Sequence, residues 1–334
     1  MPQSMRTNLK KEIYNLIFMD LESRIIKLLS LNNKYIGDDC AYIKETKQLI
    51  STDTLVENTH FDLKYFNVNN ITHRLFISNF SDIQSSGGMP RYALFNISFP
   101  KKKFEIALSI SKKLKSITNK HNVNIIGGDT TNSDKISLTL TLISKKIEKS
   151  DILLRSKAKI NDDIFVFKNL GFSKLGFLNI YNNLKLPNKL KDKSKKQFLS
   201  PKFYKYYDLL MNLPISSSMD ISDSLYECLI EMSFLSKKKF IIESLKGVNP
   251  YLHNYINSDD KYHNLILGSG EEYTPIFTLP KNILDNKSIS LFKKRGIKLE
   301  RIGYVSKGKG VEFKNLNIKG IKIFNHFNKN YKKI

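Results

Sequence analysis

Carboxylates in this sequence gather in five short motifs otherwise rich in Gly, Ser and Thr: Gly37-Asp38-Asp39, Ser51-Thr52-Asp53, Ser81-Asp82, Gly127-Gly128-Asp129-Thr130 and Asp220-Ile221-Ser222-Asp223. If these motifs converge, like charges repel and burial adds a desolvation cost for each. Hard divalent cations relieve both. Magnesium takes oxygen ligands, commonly one or two carboxylates per ion, with waters and substrate phosphates completing the octahedron. Several Asp beside Ser and Thr hydroxyls therefore suit more than one magnesium ion bridged by a polyphosphate. The glycines let backbone N–H groups approach phosphate oxygens. Taken singly, each motif reads more readily as a turn or a helix N-cap, and Asp220 or Ser222 would cap the helix that follows. Periodicity alone does not say whether they meet.

Other chemistries lack their signatures. There is no GxxxxGK[ST], no HRD with DFG and no HExxH, and the six His form no ligand-spaced pair. The two cysteines, Cys40 and Cys228, belong to no CxxC, so free, partly buried thiols are expected. The net charge of +24 invites a nucleic-acid reading, but only seven of the 55 basic residues are Arg. Base-edge and phosphate-fork recognition favours Arg, and the Lys residues are scattered. Compositional bias spread over solvated faces is the reading taken, with no nucleic-acid partner expected; a basic nucleic-acid-binding protein whose acidic motifs are turns stays as the rival from another class. No apolar run reaches the ~18 residues of a membrane span. The apolar Ile13–Met19 is followed at once by Asp20, Glu22 and Arg24, unlike a signal peptide. No membrane partner and a cytoplasmic location are expected.

These motifs need elements to position them. The apolar spacing predicts a helix over Glu12–Leu31, a strand over Gln48–Thr54, a helix over Ile71–Gln84, a strand over Tyr92–Ser98 and a helix over Phe104–Lys120. A strand over Val123–Ile126 should run out into Gly127-Gly128-Asp129, and Ile136–Ser144 alternates with the clearest period of two. After a boundary near 146–160 come a strand over Asp163–Phe167, a solvated Lys-rich loop at 185–197, and helices at 202–212 and 222–235, the latter capped by Ser222. Strands over Lys239–Ser244, Thr274–Thr278 and Glu300–Val305 and a helix over Leu284–Arg295 complete the pattern. The fold class expected is α/β (α+β) with two domains, 1–148 and 149–334.

In order along the chain, GDDCA (37–41), STDTLVENTHF (51–61), NFSDIQSSGGMP (79–90), IIGGDTT (125–131), LLRSKAKINDDIFV (153–166), DISDS (220–224) and GSGEEY (268–273) resemble the thiamine-monophosphate kinase family of the aminoimidazole-ribonucleotide-synthetase-like superfamily. The resemblance runs from about residue 12 to the C-terminus. It implies ATP-dependent phosphorylation of thiamine monophosphate to thiamine diphosphate with several magnesium ions. It also implies a first domain whose mixed sheet pairs across the two-fold axis of a homodimer, with Ile136–Ser144 a candidate strand there, and a second domain that completes the nucleotide and substrate site. Carried over by position, Asp39, Ser51, Thr52, Asp53, Asp82, Asp129, Asp220 and Asp223 resemble the metal ligands and their immediate surroundings. Gly128, Asp129, Arg155 and Ser222 resemble ATP contacts, and His60, Glu271 and Phe327 contacts to the thiamine moiety. Read without the resemblance, Arg155 is a surface cation, His60 a loop histidine and Phe327 ordinary packing.

The sequence departs from the family pattern at Ser224, Ser269 and Asn161, where Gly is usual, at Glu272 in place of Asp, and at Phe172, where an acidic residue is common. These changes bear on efficiency and substrate fit more than on reaction type. A sister enzyme acting on another acceptor and a catalytically weak homologue kept for binding remain as alternatives.

Overall fold

In a computed structural model of the chain, the residues described are 21–31, 33, 35–147, 152–314, 316, 318 and 321. Phe327 and the start of the first expected helix lie outside them. The first half runs α1 (Leu21–Ser30), β1 (Ala41–Ile43), β2 (Gln48–Val56), α2 (Val68–Ser85), β3 (Pro90–Phe99), α3 (Phe104–Lys120), β4 (Asn124–Asn132) and β5 (Ser137–Ser144). The second half gives β6 (Asp162–Phe167), α4 (Phe172–Tyr181), α5 (Asn188–Leu199), α6 (Tyr207–Met211), β7 (Ser217–Asp220), α7 (Leu225–Ser236), β8 (Lys239–Ile242) and α8 (Pro250–Tyr255). It closes with α9 (Asp259–Leu267), β9 (Pro275–Pro280), α10 (Asn286–Lys294), β10 (Leu299–Ser306) and β11 (Gly310–Phe313). Helices and strands mix in both halves, so the α/β (α+β) class holds. Among the described residues no helix is long and apolar enough to cross a membrane.

The first sheet has the order β1-β2-β5-β3-β4, with only β3 and β4 parallel. The alternation of β5 does what its period dictates. Leu138, Leu140 and Leu142 are buried in one core with Ile71 and Leu75 of α2 and Ile110 and Leu114 of α3. The intervening threonines face the other way, where Thr141 meets Thr52 at 2.9 Å and Thr139 meets Thr54 at 2.8 Å. That face is left uncovered by the helices and also carries the exposed Tyr92 and Leu94. A reciprocal capping box between Asn67 and Asn70 starts α2 and fixes its direction across the covered face.

Two expectations are corrected here. Gly127-Gly128-Asp129 is not a turn: β4 continues through it, and the slip in register falls just before it, where Ala93 pairs with Ile125 and Leu94 with Gly127. A Cβ on Gly128, at φ +153°, would sit 1.8 Å from the Phe95 carbonyl oxygen, so glycine permits the close approach of β4 to β3. And β5 lies in the interior of the sheet, so it offers no free edge to a partner. The edge strands are β4 and the three-residue β1, and all nine residues of β4 are exposed.

The second sheet has the order β11-β8-β10-β6-β9-β7, antiparallel except for β8 with β11. Ile164, Val166 and Ile276 join one core with Leu225 and Leu229 of α7, while Phe167, Phe277 and Leu279 join another with Phe292 of α10. The Lys-rich segment expected as a loop is α5. Its Leu190, Ser194 and Phe198 recur every four residues and are buried, leaving the lysines to solvent. Gly176 lets α4 lie close beside it, because a Cβ there would meet the Ser194 carbonyl oxygen at 2.1 Å. Through Ile180, Phe198 and Leu199, this helix pair packs into the core of the first sheet.

Candidate active site

Three of the acidic motifs meet. Asp39 lies in the bend before β1, Asp82 in the last turn of α2 and Asp220 at the end of β7, and one carboxylate oxygen from each lies within 4.8 Å of the other two. Neighbouring hydroxyls orient them. Ser51 Oγ on β2 donates to Asp82 at 2.5 Å, and Ser81 Oγ on α2 donates to Asp220 at 2.6 Å. Arg155 supplies the counter-charge: Nε donates to Asp39 at 3.0 Å, Nη2 makes a second bond to the same oxygen, and Nη1 donates to Glu231 at 2.5 Å. Its backbone N–H also donates to Asp38 at 2.8 Å.

One guanidinium shared with Glu231 does not neutralise this group. Burial, and then repulsion from Asp39, push the Asp220 carboxyl up to about 8. Burial and repulsion from Asp220 and Asp53 hold Asp82 well above the ordinary carboxylate range. Burial raises Asp39 as well, opposed by Arg155, and lifts Asp38 to about 6. Asp220 Oδ1 is buried with no hydrogen-bond partner. A partly buried cluster of oxygen donors with excess negative charge and an orphaned carboxylate oxygen fits a hard divalent cation, which would supply the missing charge and take that oxygen as a ligand.

The other expected residues distribute as follows. Asp53 shares the helix-covered face of β2 with Ser51 and acts electrostatically on both Asp82 and Asp220. Thr52 and Asp129 are not brought to the cluster. Thr52 Oγ1 faces Thr141 on the uncovered side. Asp129 pairs with Asn96, which pairs with Thr139, so it shares that uncovered side and stands three strands, about 14 Å, from β2. Its carboxylate accepts from the N–H of Thr130 at 2.8 Å.

The Glu271 segment is hydrogen-bonded to the loop that follows Asp220. The Ser222 carbonyl accepts from the N–H of Glu271, and the Ile221 carbonyl accepts from Glu272 and Tyr273. Gly270 makes this contact feasible, since a Cβ there would lie 2.0 Å from the Asp223 carbonyl oxygen. His60 Nδ1 accepts from the N–H of Val56 at 3.0 Å, which puts the proton of a neutral ring on Nε2. The helix after Asp220 is capped not by Ser222 but by Ser224, whose Oγ accepts from Glu227 N–H at 3.1 Å. A residue that departs from the family glycine thus supplies a cap. Asn161 adopts the φ of +72° that glycine would supply, and Phe172 is buried on α4.

Sequence reasoning missed Arg74, Ser81 and Glu231. Ser81 was visible beside Asp82, but its reach to β7 depends on the crossing of two elements 139 residues apart. Arg74 had one signal, a cation inside the apolar spacing of α2. Glu231 had none.

Residues 37–145 match the AIR synthase related protein, N-terminal domain, family. The thiamine-monophosphate kinase of Buchnera aphidicola subsp. Schizaphis graminum is 34% identical over 82% of this chain and 84% of its own. That of Leptospira interrogans is 31% identical over 78% of this chain and 83% of its own. Among solved structures, AaThiL complexed with AMPPCP and TMP shares the fold, with a TM-score of 0.77 and 24% identity over 92% of this chain and 99% of that one. On identity maintained over most of both chains, with the acidic motifs in order, the chain belongs to the thiamine-monophosphate kinase family.

Proposed function

We propose that this protein transfers the terminal phosphoryl group of ATP to the phosphate of thiamine monophosphate, giving ADP and thiamine diphosphate. The observation that carries the reading is the convergence of half-buried Asp39 and Asp82 on buried Asp220, one of whose oxygens is unpartnered. Asp39, Asp82, Asp220 and Asp53 would hold magnesium, and when bound it would neutralise the phosphates of donor and acceptor. The chain itself contributes position. Arg155 and the hydroxyls of Ser51 and Ser81 fix the carboxylates before any ligand arrives, so little reorganisation remains for the reaction. Ser222 and Asp223 lie on the loop that the Glu271 segment touches, so a nucleotide held on the first and an acceptor held by Glu271 and His60 would meet there.

Thr52, Gly128 and Asp129 belong to the same proposal on a condition. They lie on or beside the uncovered face, so their contacts to metal and ATP are made where a second copy closes over that face. The homodimer is therefore part of the reading, formed on β4 and the exposed side of β3, with residues 1–148 as the dimerising and nucleotide domain and 149–334 completing the site. The test is formation of thiamine diphosphate from ATP, thiamine monophosphate and magnesium, abolished by EDTA. Turnover without any divalent metal overturns the mechanism, and turnover only on another acceptor overturns the substrate.

A further inference from the structure

Among the described residues, the largest fully buried side chain is a cation. Arg74, on α2, is 1% exposed, and its guanidinium packs against the rings of both Phe66 and Phe198, 4.9 and 4.8 Å from their centroids, the two rings themselves meeting edge to face at 5.6 Å. Nη1 pairs with the carboxylate of Glu271 and donates to the His60 carbonyl at 3.3 Å, while Nη2 donates to the Phe198 carbonyl at 2.5 Å. One planar fork thus ties together the loop after β2, the end of α5 and the loop after α9.

As a stabilising device this is a poor choice. Burying a guanidinium costs desolvation that one ion pair offsets only in part, and apolar residues of similar volume are often as stable. Nε has no hydrogen-bond partner. What the arrangement does achieve is to fix the direction of two groups. Glu271 sits at φ +54°, a left-handed backbone that a side chain does not favour, and its N–H donates to the Ser222 carbonyl. The Glu271 side chain is 32% exposed, so Arg74 holds its Oε1 while the carboxylate stays partly open to solvent.

We infer that Arg74 is a positioning residue for the acceptor: it holds Glu271 and the His60 loop at the separation that receives the cationic acceptor. This inference rests on the proposed kinase reading. It assigns Arg74 no contact with ATP or with the acidic cluster, so its removal acts on acceptor binding rather than on the phosphoryl step.

The experiment is steady-state kinetics of Arg74→Met, which keeps apolar packing against the two phenylalanines, beside Glu271→Gln and the double variant. The expected result is a rise in the KM for thiamine monophosphate on the order of 10- to 100-fold for Arg74→Met. The KM for ATP should stay at the parental value and kcat within a few-fold. Glu271→Gln should raise the same KM, and the double variant should be no worse than the poorer single one, since the two act as one unit. A parental acceptor KM in Arg74→Met, or additive losses in the double variant, overturns the inference. So does a parallel loss in kcat and both KM values together with a fallen Tm, which is the mark of a purely structural residue. If Arg74→Met does not fold, Arg74→Lys keeps the charge but not the three-way fork. It should then raise the acceptor KM at a parental Tm, and a parental KM overturns the inference. A parent enzyme that does not phosphorylate thiamine monophosphate at all defeats the kinase reading instead, which keeps the two failures distinguishable.

Discussion

Ser269 Oγ donates a 2.6 Å hydrogen bond to Glu272 Oε1, and both residues are departures from the family pattern. The two changes answer each other. The longer Glu272 side chain reaches the N-terminus of α4, where it accepts from Gly171 N–H at 2.7 Å, and the Ser269 hydroxyl satisfies the same buried oxygen. Burial raises Glu272 to about 7, against these hydrogen bonds. Ser269→Ala should therefore cost about 1–3 kcal/mol, because it leaves a buried acceptor short of a donor. In a Glu272→Gln background the same change should cost less, a coupling that a double-mutant cycle by chemical denaturation measures. Additive losses would mean the two positions diverged independently.

The acidic cluster sets a pH dependence. Asp39, Asp82 and Asp220 all have folded-state values raised first by burial, with repulsion from neighbouring carboxylates adding to it, Glu231 for Asp39 and the other cluster acids for Asp82 and Asp220, the last lifted to about 8. The folded state then binds more protons than the unfolded chain between the ordinary carboxylate range near ~4 and ~8, so stability falls as pH rises through that window. In EDTA the Tm should be higher at pH 6 than at pH 8. Magnesium with ATP should shrink this difference, leaving the share due to Glu272, whose carboxyl is held at the N-terminus of α4 and titrates in the same direction. A Tm in EDTA that rises from pH 6 to pH 8 would contradict the burial of these groups.

Asp82→Asn removes one of the repelling charges while keeping its shape. The EDTA-treated protein should melt at the parental temperature or above it, and turnover should drop about 100-fold or more. Magnesium with nucleotide should stabilise this variant less than the parent. A less stable variant with parental turnover would identify Asp82 as structural.

Asp129→Asn separates the uncovered face from the cluster. Because Asp129 stands apart from the acids, the stability in EDTA should stay within about 0.5 kcal/mol of the parent. Turnover should still fall about 100-fold if the residue serves metal and nucleotide. Parental turnover would remove it from the ligand set. The companion change Gly128→Ala is expected to lower stability by about 1–3 kcal/mol whatever its effect on ATP, since its Cβ would collide with the Phe95 carbonyl.

The same face tests assembly. Light scattering at micromolar concentration should give the mass of two chains. Ile126→Asp, at a residue 57% exposed on β4, should give one chain with little turnover. A monomeric parent, or a monomeric variant with parental activity, would separate the site from the proposed dimer.

Where periodicity was strong the elements were legible, as in the helix spacing of α2 and α3 and the alternation of β5. The strand β4 was misjudged because two adjacent glycines read locally as a turn, whereas here they serve the approach of a neighbouring strand, a tertiary demand that local propensity does not carry. The helix α5 was hidden by its many lysines, which leave Leu190, Ser194, Phe198 and Leu199 as its buried residues. In the site, Asp39, Asp82 and Asp220 were legible as motif residues. Arg74, Ser81 and Glu231 were not, since a side chain's reach between elements depends on how those elements cross.

The packing of Ile180, Phe198 and Leu199 into the core of the first sheet makes the linear division of the chain a poor guide to where it can be cut. A fragment ending at residue 148 keeps all five strands of its sheet but loses the helical pair that shields part of its apolar interior. Such a fragment should bind hydrophobic dyes and self-associate, and extending it through Leu199 would restore that cover only by stranding β6, whose partners β9 and β10 come later in the chain. For this fold, truncation and domain exchange follow the buried surface rather than the strand count.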